Sequence, residues 1–127
     1  MIHKFTKLID EGNPILINGD GTISRDFTYI DNIVKGIECA LFHLNGYNIF
    51  NLGESNMVTI NEVIKIIEEI LEKKATIQYG IKLRQDVKIT LADISKAKKE
   101  IGYRPESNLI NGLNNFISWY QKNKNFF

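Results

Sequence analysis

A chain of 127 residues has room for one small domain with a modest core. Its 43% hydrophobic and 24% charged content is that of a globular protein, and 16 basic against 15 acidic residues leave a net charge of +1, without the clustered positive excess of a nucleic-acid footprint. No apolar run approaches the roughly 20 residues of a membrane span, the start MIHKFTKLIDEG is too charged for a signal peptide, and one cysteine, Cys39, excludes an internal disulfide and fits a reducing cytoplasm.

The spacing of Ile2, Phe5, Leu8 and Ile9 predicts a helix over residues 2–11, stopped by Gly12 and Asn13-Pro14. Ile15 to Asn18 reads as a short strand that ends in the reversal Gly19-Asp20-Gly21, where both glycines permit positive φ. Phe27, Tyr29 and Ile30 suit another strand, which leaves Arg25 on a framed loop of the kind where binding residues collect. From the residues alone, two readings of Arg25 stay open: a surface ion pair with Asp26 or Asp31, or a ligand contact. Asp31 reads as the N-cap of a helix to about Leu44, with Ile33, Val34, Ile37, Ala40, Leu41 and Leu44 expected in the core. Gly36 within it marks a close packing contact, and Cys39 a small core residue. Tyr47 to Leu52 is expected to be a strand, ended by Gly53.

Thr59 and Glu62 fit a capping box that opens a helix to about Lys74, with Ile60, Val63, Ile64, Ile67, Ile70 and Leu71 as its apolar stripe. Thr76 to Tyr79 is a further short strand, and residues 80–89 have no clear period. Asp93 is expected to cap a helix from Ile94 to about Ile101, closed by Gly102. The last helix starts at Ser107 or Asn108 and presents Leu109, Leu113, Phe116, Ile117 and Tyr120 as a buried stripe. Alternating short strands and helices say α/β, with too few strands for a complete doubly wound sheet. His3 and His43 have no acidic or thiol neighbour at ligand spacing, so no metal site is expected.

The stretch GDGTISRDFTYIDNIV, residues 19–34, resembles the segment GDGxQxRDFxYVDDIV of the extended short-chain dehydrogenase/reductases, the NAD-dependent epimerases and dehydratases of nucleotide sugars. The likeness covers nearly the whole chain. YNIFNLGESNMVTINEVIKIIEEIL is similar to the family's YNIGSGxxVSIxELxxxI. LRQDVKITLADISKAKKEIGYRPESNLINGLNNFISWY resembles RPGDVxxxxADISKAKxxLGYxPxxxLEEGLxxxxxWY. The resemblance implies that Arg25 reaches the diphosphate of a UDP- or dTDP-sugar, a task suited to a planar guanidinium fork. It implies further substrate contacts at Leu16, Asn18, Arg84 and Asp86. The family's R-x-G-D pattern lacks its glycine here and is one residue short, and the family's aromatic before the glycine turn is Asn18.

The family's catalysis rests on a glycine-rich GxxGxxG turn that cradles the NAD pyrophosphate and on a tyrosine–lysine pair in YxxxK. This chain has no such glycine triplet. Tyr120 to Lys124 matches YxxxK literally, but Tyr120 lies on the buried stripe at the far C-terminal end and reads as core. The resemblance therefore implies residues 1–127 as a C-terminal substrate-binding domain of an extended Rossmann-type enzyme, with an incomplete parallel sheet. Such a domain has no catalytic or cofactor-binding residues of its own, and the NAD-binding Rossmann half is absent. NAD is expected in the intact enzyme and none on this chain, and the missing half and a sugar nucleotide are its expected partners. A homo-oligomer is also expected, because the family pairs the strand Tyr47–Leu52 with a parallel sheet from that half, and an unpaired edge invites association. A stand-alone nucleotide- or partner-binding domain without chemistry is the competing reading.

Overall fold

The first expected helix forms as α1 (Ile2–Asp10), which buries Phe5, Thr6 and Ile9. The structure, a computed structural model, describes residues 1–43, 46–81 and 87–126. Strand β1 (Ile15–Asn18) follows, with Ile15 and Ile17 turned into the core and Leu16 and Asn18 turned out, the alternation a pleated strand imposes. It pairs in parallel with β4 (Ile77–Gly80) from Ile15 opposite Ile77 to Asn18 opposite Gly80. Gly19 and Gly21 take φ of +82° and +75° in the turn that leaves β1. Asp20 Oδ1 caps that turn, accepting from the backbone N–H and the hydroxyl of Thr22 at 3.0 and 2.6 Å. The small parallel sheet within a mixed α/β fold is the architecture expected from the sequence.

Helix α3 (Ile60–Leu71) sits at the centre of the main core. The Thr59–Glu62 capping box is complete, with Glu62 N–H donating to Thr59 Oγ1 and Thr59 N–H to Glu62 Oε2. Its stripe Ile60, Val63, Ile64, Ile67 and Leu71 packs with α1, with β1 and with Leu113 and Ile117 of the last helix, here α5 (Leu109–Asn123). The helix stops at Leu71, short of Lys74, because Glu72 takes the left-handed conformation. Asn108 caps α5, accepting from Asn111 N–H at 2.9 Å, which settles the choice between Ser107 and Asn108. Tyr120 is buried with its ring edge-on to His3, and Lys124 pairs with Asp10. The literal YxxxK match thus consists of a core tyrosine and a surface lysine.

Several expectations need correction. The second strand is β2 (Ser24–Asp26), not residues 27–30, and it pairs antiparallel with a strand the sequence reading missed, β3 (Met57–Thr59). Arg25 therefore lies within a strand, opposite Val58, rather than on a loop. Helix α2 (Ile30–Leu41) starts a residue earlier than expected, with extended Tyr29 as its cap residue; Asp31 falls in the first turn, where its charge complements the helix dipole. The residues α2 buries are Asn32 and Gly36, while Val34, Ile37 and Leu41 are exposed and Leu44 lies outside the described residues. Residues 47–52 form no strand: Phe50 and Leu52 instead pack on a second core of Ile94, Ala97, Ile101 and Tyr103. A ladder needs a neighbour, and none stands beside this segment among the described residues. That removes the unpaired edge as a ground for self-association. Asp93 is likewise not the cap residue of α4 (Ser95–Ile101); Ile94 is, although Asp93 still accepts from Ser95 N–H at 3.0 Å.

The second core is bound to α2 at close range. A Cβ on Gly36 would stand 2.7 Å from the Leu52 side chain and 3.1 Å from Tyr103, so the expected close contact is real and a larger residue there would have to displace Leu52. Cys39 is half-buried against the same cluster.

Candidate functional site

Strand β2 arranges its neighbours by alternation. Asp26 accepts from the backbone N–H groups of Glu54 at 3.2 Å and of Ser55 and Ala92 at 3.0 Å, so its carboxylate is committed to holding three chain segments together. Arg25 is half-buried, and its Nη1 donates to its neighbour's carbonyl, Ser24 O, at 2.9 Å. Among the described residues it forms no ion pair, with Asp26, Asp31 or any other carboxylate. A half-buried cation without a counter-ion is costly to hold and is suited to receiving an anion.

Around Arg25 is a cleft of about 330 Å³ that also takes in Leu16, Asn18, Phe5, Ile23 and Phe27. Three of the five sequence-derived site residues, Leu16, Asn18 and Arg25, are thus brought together from β1 and β2. Arg84 and Asp86 lie outside the described residues. The chain that follows them is pinned to β2 beside Arg25: Ser24 N–H donates to Lys88 O at 3.1 Å and Thr90 N–H to Ser24 O at 3.3 Å. Phe5, Ile23 and Phe27 were not foreseen as lining residues, since an apolar residue that walls a cleft has the same sequence signature as one that fills a core. The loop that leads into β2 is held from α3: Asn61 Nδ2 donates to Asp20 O at 3.0 Å, and Asn61 N–H to Gly21 O at 3.1 Å.

Behind β2 lies a polar cluster. Asn32 is buried and satisfied: its Nδ2 donates to Ser107 O at 2.8 Å and to the Glu54 carboxylate, and its Oδ1 accepts from the N–H groups of Glu106 and Ser107. Burial raises the Glu54 carboxyl above its ordinary value, with the Asp26 charge adding to it and the Asn32 hydrogen bond opposing it. Burial also raises Tyr103, whose hydroxyl donates to Gly53 O at 2.9 Å. Because folding raises the Glu54 carboxyl, its ionised form is less favourable in the folded than in the unfolded state, and ionising it costs stability. That cost is absent below about pH 4.3, where both states are protonated, and grows as pH rises past it. Glu54→Gln is therefore expected to raise Tm at pH 7 and leave it unchanged at pH 3; melting curves at the two pH values check this, and a lowered Tm at pH 7 contradicts it.

No group of three or more His, Cys, Asp or Glu side chains that could hold a metal occurs among the described residues. Nor is any described helix long and apolar enough to cross a membrane.

The family model for GDP-mannose 4,6 dehydratase matches residues 1–116. The chain is 46% identical over 123 residues to the UDP-glucuronate 4-epimerase of Thermodesulfobacterium geofontis, a match over 96% of this chain and 38% of that protein. It is 38% identical to UDP-glucuronate 4-epimerase 4 of Arabidopsis thaliana, over 91% of this chain and 30% of that one. Among solved structures, the UDP-glucose 4-epimerase of Thermotoga maritima with UDP-glucose superposes with a TM-score of 0.90 at 28% identity, over 97% of this chain and 40% of that chain. The UDP-glucuronic acid 4-epimerase of Bacillus cereus, in complex with UDP-glucuronic acid and NAD, gives 0.85 at 34% identity, over 95% and 39%. The chain spans well under half the length of the relatives it matches. With its RDF strand, glycine turn and capped α3 all within the matched residues, it belongs to the NAD-dependent nucleotide-sugar epimerases and dehydratases of the extended short-chain dehydrogenase/reductase type.

Proposed function

We propose that this chain is the substrate-binding, C-terminal part of a UDP-sugar 4-epimerase and that it is inactive by itself. The observation that carries the reading is Arg25: a half-buried guanidinium without an ion pair among the described residues, in a cleft shared with Leu16 and Asn18. In this reading Arg25 binds the nucleotide diphosphate, Leu16 and Asn18 line the substrate cleft, and Arg84 and Asp86 grip phosphate and ribose. UDP-sugars rather than dTDP-sugars are favoured because the solved relatives are epimerases with UDP-glucose or UDP-glucuronic acid.

NAD supplies the hydride acceptor for such an epimerisation, and the turn present here does not fit it. The Gly19–Gly21 turn leads into strand β2 rather than a helix N-terminus, and a Cβ placed on Gly21 would overlap the Asn61 amide, which fills the space above the turn. NAD is accordingly assigned to the rest of the enzyme, together with the proton-transferring residues. A cytoplasmic setting and self-association of the chain belong to the same proposal, the latter through exposed helix surface.

Incubated with NAD and a panel of UDP- and dTDP-sugars, the isolated chain is expected to give neither epimer nor reduced cofactor. Turnover that survives rigorous repurification overturns the inactive-part reading. Tight binding of a UDP-sugar by the chain alone would instead favour a stand-alone binding domain.

A further inference from the structure

Strands β1 and β2 carry the residues of the candidate cleft, yet they belong to different sheets: β1 pairs with β4 and β2 with β3. No shared ladder therefore sets the position of Arg25 relative to Leu16 and Asn18. That task falls to the connection, residues 19–23. With Gly19 and Gly21 both left-handed in it, this connection is the joint of the site with the widest backbone freedom.

Helix α3 closes the joint with its first turn. The opening N–H groups of a helix have no partner within it. Here two of them reach the connection: Ile60 N–H donates to Ile23 O and Asn61 N–H to Gly21 O, both at 3.1 Å. Those bonds come from the backbone, and most residues at positions 60 and 61 would make them. The third needs a particular side chain, because Asn61 Nδ2 donates to Asp20 O at 3.0 Å. The same amide lies over buried Gly21, where an added Cβ would collide with Oδ1 and stand 2.6 Å from Cγ. Turn and amide are thus matched in shape as well as in hydrogen bonding. Asn61 is exposed and takes no part in the core stripe of α3, so packing does not account for it. Strand β3 also runs directly into α3, so the strand paired with Arg25 and the helix that grips the turn form one piece.

We propose that Asn61 is a positioning residue for the nucleotide diphosphate: through the Gly19–Gly21 turn, it sets where the Arg25 guanidinium stands relative to Leu16 and Asn18. The proposal rests on the substrate-part reading above, which gives Arg25 its ligand.

The test is a double-mutant cycle in the chain rejoined to the rest of an epimerase, titrated with UDP-glucuronic acid. Asn61→Ala should weaken binding about 3- to 10-fold, the scale of one neutral hydrogen bond. In the Arg25→Ala background the same substitution should change affinity by less than about 2-fold, since the group it positions is gone. Hydrogen exchange without nucleotide reads the tether itself: Asn61→Ala should speed exchange of the Thr22 N–H, held to Asp20 Oδ1 in the same turn, by about 3- to 10-fold. Unchanged exchange overturns the proposal. Equal losses of affinity in both backgrounds also overturn it, because the effect then bypasses Arg25. A lowered Tm with unchanged affinity per folded molecule does so too, and makes Asn61 structural. The two readings fail separately. If Arg25→Ala binds as the parent does, the substrate reading itself is refuted and the proposal falls with it; if Arg25→Ala weakens binding and Asn61→Ala does not, the proposal alone is refuted.

Discussion

Arg25→Ala is expected to weaken UDP-sugar binding by about 10- to 150-fold, measured by titration with the chain rejoined to the rest of an epimerase. The magnitude follows from losing a charge-assisted bond to phosphate, roughly 1.5–3 kcal/mol. Arg25→Lys should recover only part of it, because an ammonium is a point charge and cannot offer two parallel donors. Stability should change little, since the Arg25 side chain makes one local hydrogen bond, to Ser24 O, and no ion pair among the described residues. A lowered Tm with unchanged nucleotide affinity per folded molecule would make Arg25 structural and remove the basis of the functional proposal.

The adjacent residue is expected to behave in the opposite way. Asp26→Ala should destabilise the fold by about 3–5 kcal/mol, because three backbone N–H groups lose a charged acceptor and each such bond contributes roughly 1.5 kcal/mol or more. Ala92 is 66 residues away in sequence, so the loss also frees the segment after Lys88 from β2. Asp26→Asn should fall between wild type and alanine, since one carbonyl oxygen survives and the amide presents donors to donors. Urea denaturation gives the answer, and a cost below about 1 kcal/mol for Asp26→Ala would mean that the clasp is dispensable. Taken together, the two substitutions separate affinity from stability across neighbouring positions of a single strand.

Much of this chain was legible because its signals are local. The stripe of α3, the Thr59–Glu62 box, the positive φ of Gly19 and Gly21 and the start of α5 at Ser107 or Asn108 are each signalled within one or two turns of chain. Leu16, Asn18 and Arg25 were picked out by resemblance to a family segment, and their convergence on one cleft followed from the tertiary placement of β1 and β2, which belong to different sheets.

What sequence patterning could not decide was whatever depends on a partner elsewhere in the chain or beyond it. Strands β2 and β3 are three residues each, too short to show alternation, and exist because they lie against one another. Asp26 and Asn32 look like surface polar residues until residues 92 and 106–107 close around them. Tyr47 to Leu52 has the composition of a strand and, among the described residues, no neighbour to pair with. The stripe of α2 has the right period for burial, yet period records only that an apolar face exists. Which surface covers that face is a tertiary fact, and here the described residues leave it open to solvent.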